Sequence, residues 1–233
     1  MKAGEGNVVM ITSQHPHLEK MLEQRCLFLF AALITLLVVM PYLVGTGLGR
    51  ALVGLLNIII LVTAVVAIER SRASFVMAML LGMPTLCFQL LALQSGSPGY
   101  FALSWGFGAA FYAFTIAHLL HYVLRVDMMT SDKLYGAAAA YLMIAICWAY
   151  LYGVMQYFYP GAFAFLGSTK ILDMGELIFY SFTVLTTAGF GDVTAQVIQA
   201  RFATLLEAVT GVMYVAILIA RLTGVYPVVE TKP

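Results

Sequence analysis

The sequence predicts an all-α integral membrane protein, with six transmembrane helices and a short re-entrant helix between the fifth and the sixth. Three observations carry this. The 233 residues are 62% hydrophobic and only 10% charged, with a mean hydropathy of +0.95, whereas soluble domains run near one quarter charged. Six apolar segments approach the ~20 residues a helix needs to cross a bilayer. Between the last two lies a further apolar run only half a membrane long.

Taken in order, residues 1–25 are polar and mixed in charge (Lys2, Glu5, Glu19, Lys20, Glu23, Arg25) and read as a tail. The apolar run after them is longer than a signal-peptide core, which points to a signal-anchor first helix. The six spans are 26–44, 51–68, 75–93, 101–124, 134–158 and 202–220. "GTGLGR" (45–50) and "QSGSPG" (94–99) between them are turn chemistry. "ERSR" (69–72) and "RVDMMTSDK" (125–133) are charged loops. Pro84 predicts a kink in the third span, which membrane helices tolerate. The segments group as a tail (1–25), a four-helix membrane domain (26–133), a second membrane domain (134–224) and a final tail (225–233).

Basic residues fix the expected orientation, because Lys and Arg concentrate on the cytoplasmic side. With both termini inside, Lys2, Lys20, Arg25, Arg70, Arg72, Arg125, Lys133, Arg221 and Lys232 face the cytoplasm, and Arg50, Lys170 and Arg201 face out. The net charge of +1 argues against nucleic acid as a partner. Cys26, Cys87 and Cys147 fall in apolar runs without a CxxC pair, against a disulfide framework or zinc site, and read as small buried hydrophobes. The sequence shows no nucleophile–base pair or HExxH motif, so neither an enzyme nor a cofactor is expected.

The connection at 159–201 is far longer than the other loops, and loops of that length are usually functional or disordered. Its composition is not that of disorder. "YFYPGAFAF" (157–165) is an aromatic cluster suited to the membrane interface. Asp173 with Glu176 forms a capping-box variant. "LIFYSFTVLTT" (177–187) then begins an apolar helix too short to span, followed by a Gly-x-Gly turn. Non-helical backbone at such depth survives only when buried in protein or lining water.

A cation crossing a bilayer must exchange its water for other oxygen ligands, and rows of backbone carbonyls can supply them. Aiming successive carbonyls at one axis needs alternating backbone handedness, and glycine reaches positive φ without steric cost. Gly189 and Gly191, separated by Phe190, fit that alternation. Thr187 adds a hydroxyl one step deeper, where the negative end of the short helix also points.

Residues 185–192, "LTTAGFGD", resemble the "TLTTVGYGD" signature of tetrameric potassium channels. The resemblance implies a filter binding K+ at Thr187, Ala188, Gly189, Phe190 and Gly191, with Asp192 at its outer mouth. It also implies pore-helix support from Phe179, Tyr180, Thr183 and Thr186. "ARFATLLEAVTGVMYVAILIARLTG" (200–224) is similar to the inner helix of bacterial members, with Gly211 at the hinge-glycine position. The likeness covers about 170–224, and the first four spans match only in number and polarity. It implies a homotetramer in the bacterial plasma membrane, with K+ and membrane lipid as its partners. Two departures stand out. Ala188 replaces Val and Phe190 replaces Tyr, while Phe179 and Tyr180 stand for paired tryptophans. The phenolic hydroxyl and its tryptophan partner are both gone, which implies a thinner hydrogen-bonded cuff and a less rigid filter.

Segment five begins "GAAAA" (136–140), which reads either as small residues allowing close approach to the inner helix or simply as low-cost helix formers. Voltage sensing needs several charges in the fourth span, each worth about 2.3 kcal/mol per 100 mV; residues 101–124 contain no Arg or Lys. The expected channel is therefore not steeply voltage dependent. His118 and His121, three apart on one face, read as interfacial histidines with satisfied hydrogen bonds or as a cytoplasmic pH sensor. Glu207, one turn before Gly211, is expected to support the filter by bonding the back of the pore helix, with Thr183 as the partner, the alternative being a partly hydrated acid that draws cations. Arg201 and Arg221 read as snorkelling anchors. Nine residues follow Gly224, too few for a nucleotide-binding domain. The rival readings are a non-selective monovalent cation channel of the same fold and a transporter or membrane scaffold. The lack of acids within the first five spans disfavours a coupled transporter.

Overall fold

Apolar runs leave backbone amides and carbonyls no partner in lipid except one another, and the helix is the local solution. The computed structural model describes residues 25–43, 59–64, 72–125 and 130–225. Among these, five helices are long and apolar enough to cross a membrane: α1 (Arg25–Leu43), α2 (Arg72–Ser95), α3 (Pro98–Val123), α4 (Ser131–Phe158) and, after a shorter α5 (Met174–Leu185), α6 (Ile198–Val225). The expected second span lies outside the described residues except for 59–64, which are helical, with Ile60 and Ala64 fully buried. The tail at 1–24, the 45–50 turn and residues 226–233 also lie outside them. The third span continues as one helix through Pro84.

The described residues are predominantly helical, as expected, with one addition. Residues 159–201 contain a small antiparallel sheet, β1 (Phe163–Phe165), β2 (Ser168–Thr169) and β3 (Val193–Ala195), in the order β2-β1-β3. The aromatic stretch at 157–165 therefore splits: α4 ends at Phe158, and Phe163 and Ala164 are buried strand residues. The β1–β2 turn carries Leu166 (φ 47°) and Gly167 (φ 82°), both left-handed, as a two-residue hairpin requires. β3 follows the Gly-x-Gly segment directly and pairs with β1, Phe165 opposite Val193. Backbone bonds extend the pairing, Leu166 N to Asp192 O at 2.8 Å and Gln196 N to Ala162 O at 2.8 Å.

α4 is the axis of the packing and touches α1, α3, α5 and α6. Its small residues admit large partners: a Cβ on Gly153 would lie 2.8 Å from the Trp105 ring, and one on Gly108 of α3 would lie 2.4 Å from Tyr150. Gly136, expected to face the inner helix, instead lies against Cys26, Leu119 and Val123. The inner helix reaches the next residue, where Tyr214 Oη donates to Ala137 O at 2.6 Å. Cys26 and Cys147 are buried as expected, but Cys87 is exposed on the surface of the chain.

Charge gathers at the helix ends. At one end Asp132 accepts Cys26 N at 2.9 Å and Tyr122 Oη at 3.1 Å, tying α1, α3 and α4. There too, Arg221 donates to Arg125 O at 2.6 Å, so this arginine clamps the end of α6 to the α3–α4 connection as well as lying at an interface. At the other end are the sheet, Lys170 and Arg201, whose Nε donates to Ala195 O at 3.2 Å.

Candidate pore and filter

The site begins with a helix start. Asp173 Oδ1 accepts Glu176 N at 2.9 Å, and Glu176 Oε2 accepts Asp173 N at 3.1 Å, a reciprocal capping box. The same glutamate pairs with Lys170 at 2.5 Å. Gln156 of α4 holds the approach to this cap: its amide donates to Leu172 O at 2.9 Å and accepts Leu172 N at 3.0 Å. α5 has 12 residues, about 18 Å at 1.5 Å per residue, well short of a ~30 Å hydrocarbon core. Leu177, Ile178, Tyr180, Ser181, Thr183, Val184 and Leu185 are buried, anchoring it in the protein.

Its last turn would leave carbonyls without partners. The segment that follows takes them up. Thr186 N bonds Phe182 O at 3.0 Å, Thr187 N bonds Val184 O at 2.9 Å, and Gly189 N bonds Thr183 O at 3.0 Å. Thr183 and Thr186 turn their hydroxyls back onto Tyr180 O and Phe182 O, both at 2.7 Å. Residues 186–191 thus hang from the helix end while staying exposed in the single chain.

Positive φ occurs at every second residue, Thr187 (59°), Gly189 (51°) and Gly191 (81°). The glycines were legible from sequence. Thr187 was not, because a β-branched residue is an outlier there, and such strain costs about 1–3 kcal/mol. Asp192 closes the segment, accepting Val193 N on Oδ1 at 2.9 Å and Leu166 N on its carbonyl at 2.8 Å.

The two pore-helix aromatics divide their tasks. Phe179 lies parallel to Phe190, with ring centroids 5.8 Å apart and planes within 8°. A ring stack thus stands where the resemblance leads one to miss a hydrogen bond. Tyr180 turns away to the inner helix, its hydroxyl 2.8 Å from Thr204 Oγ1, and its ring packs on Tyr152 and Phe163.

One stripe of α6 faces this assembly with Thr204, Glu207, Gly211 and Tyr214. Glu207 is fully buried. It does bond the back of α5, but through Ser181 and not Thr183, and its other oxygen meets Tyr152. Gly211 sits within an uninterrupted helix. A Cβ there would lie 2.1 Å from Leu185 O, which makes close approach its evident use. Leu185 O also accepts Tyr141 Oη at 3.2 Å, and Tyr141 packs on Tyr214 with centroids 5.5 Å apart. The opposite stripe of α6, including Leu206, Val209 and Met213, is exposed.

Sequence reasoning passed over Ser181, Tyr152, Tyr141, Thr204, Tyr214 and Gln156. Each is a polar group within an apolar run, which is the signal that could have found them. His118 bonds Ser74 Oγ at 3.2 Å and Phe114 O at 3.0 Å, while His121 is exposed. Among the described residues, no cluster of three His, Cys, Asp or Glu could hold a metal.

A capped half-helix that presents backbone of alternating handedness, backed by a long apolar helix, suits ion passage. Residues 139–226 match the family model described as Ion channel. The chain carries an ion-channel domain. The match runs from α4 through the channel's half-helix and Gly-x-Gly segment to the end of α6. No curated protein and no solved structure matches the chain.

Proposed function

We propose that this multi-pass membrane channel is a passive, potassium-selective pore. The single observation carrying that reading is the alternation of positive φ at Thr187, Gly189 and Gly191 in a segment suspended from the capped half-helix. Such alternation turns successive carbonyls toward one side, the ligand set a dehydrated cation needs. Thr187, Ala188, Gly189 and Phe190 bind K+, Gly191 completes the filter, and Asp192 draws cations to the outer mouth. One chain supplies one strand of such a ring, and the resemblance to tetrameric potassium channels implies four. The exposed filter segment and the exposed stripe of α6 give the surfaces that a homotetramer would cover.

The channel resides in the bacterial plasma membrane with both termini cytoplasmic. In support, the same end of the helices gathers Arg25, Arg125, Lys133 and Arg221, as the positive-inside rule asks. Gating is not steeply voltage dependent, because α3 (Pro98–Val123) carries no Arg or Lys. A non-selective cation pore of the same fold is the second reading, favoured by the loss of the phenolic hydroxyl at Phe190.

The test is potassium flux into liposomes holding the purified protein under a K+ gradient. Wild type conducts. Gly189→Ala places a side chain at φ 51°, a backbone costing about 1–2 kcal/mol for an L-residue, and flux falls at least tenfold. Flux undiminished by this change contradicts the assigned filter.

A further inference from the structure

We infer that Glu207 carries a proton, and that this neutral acid is the latch positioning the pore helix between α4 and α6. The argument is a count of hydrogens. Ser181 Oγ lies 2.6 Å from Ala145 O and is also bonded to Glu207 Oε1. A carbonyl only accepts, and an ionised carboxylate only accepts, while a serine hydroxyl owns one hydrogen. With Glu207 ionised, the single Ser181 hydrogen would have to be split between two acceptors, a three-centre bond weaker in each arm. With Glu207 protonated on Oε1, the chain closes: Glu207 donates to Ser181, and Ser181 donates to Ala145 O. Tyr152 Oη, bonded to Oε2, donates its own hydrogen in turn. Every donor then has one acceptor.

The surroundings agree. Glu207 and Ser181 are fully inaccessible, as is Tyr152. An ionised carboxylate in such a place is costly unless a cation pairs with it, and both partners of Glu207 are neutral hydroxyls. The latch joins three elements with one proton: Ala145 and Tyr152 on α4, Ser181 on α5, Glu207 on α6. Ser181 lies one turn before Leu185, whose carbonyl rests against Gly211. Holding Ser181 therefore fixes the level of the α5 C-terminus from which residues 186–191 hang. Glu207 is a positioning residue for conduction and touches no filter residue.

The latch rests on the channel reading for its consequence but not for its protonation, and two readouts separate them. First, infrared spectra of the purified protein are compared between wild type and Glu207→Gln. The difference shows loss of a protonated-carboxyl C=O band; loss of an ionised-carboxylate band instead overturns the inference whether or not the protein conducts. Second, Gln reproduces the pattern of the neutral acid, its amide donating to Ser181 and its carbonyl accepting from Tyr152. Glu207→Gln therefore keeps single-channel conductance and flux within twofold of wild type. Glu207→Leu, which removes both bonds, lowers flux at least tenfold. A Gln variant with conductance changed more than twofold marks a charge acting on the ions, and a Leu variant conducting normally marks no latch; either result overturns the proposal.

Discussion

At Thr187 a β-branched residue sits at φ 59°, between a helix cap and a glycine at φ 51°. Strain of that kind survives only where neighbours over-determine it. Here the Thr187 amide is fixed to Val184 O and the Gly189 amide to Thr183 O. Glycines advertise such backbone in a sequence, and Gly189 and Gly191 did. A threonine cannot, because only its hydrogen bonds to a folded helix hold it there. Phe190 shows the same limit. Its missing hydroxyl is visible in the sequence, but its stack on Phe179 depends on where two rings meet in space. Aromatic pairs add about 0.5–1.5 kcal/mol beyond area burial. On the proposed filter reading, Phe179→Ala lowers the stability of residues 186–191 by about that amount, read as faster decay of macroscopic current. Current decaying at the wild-type rate removes the stack from the account.

At the scale of elements, the half-helix and inner helix form a unit. The cap of α5 was legible because Asp173 and Glu176 have the spacing that a reciprocal cap requires. The three strands were not, since runs of two or three residues are too short to show alternation. Their pairing depends on β3 returning to β1 from the far side of the Gly-x-Gly segment. The stripe Thr204–Glu207–Gly211–Tyr214 was half legible: acid and glycine stand out in an apolar helix, while Ser181, Tyr152 and Leu185 O facing them come from other elements. Gly211 is the tightest point, where an added Cβ meets backbone oxygen and not the pliable end of a side chain. Gly211→Ala forces α6 off α5, at the 1–3 kcal/mol typical of overpacking, or about 2 kcal/mol. The expected result is a lower thermal midpoint of the detergent-solubilised protein. An unchanged midpoint would show that α6 can shift without cost and that the contact is loose.

Among the described residues, hydropathy placed five spans well. The third and sixth segments lie within α2 and α6, which run two to five residues past them; α3 starts three residues before the fourth segment and ends one short of it, and α4 starts three before the fifth and ends with it. The first segment and α1 differ by one residue at each end. How α4 seats against α3 was not legible, because it rests on small residues meeting rings from elsewhere in the chain, Gly153 against Trp105 and Tyr150 against Gly108. Asp132 binds the start of α1, and Arg221 binds the carbonyl of Arg125, so the end of α6 is tied to the connection between α3 and α4. What the chain does as a whole comes down to whether residues 187–191 pass K+ and reject Na+. The direct measurement is the reversal potential of purified wild-type protein in planar bilayers, with KCl on one side and equimolar NaCl on the other. The account predicts a reversal potential displaced strongly in the direction set by the K+ gradient. A reversal potential near zero, the signature of equal K+ and Na+ permeability, would contradict it.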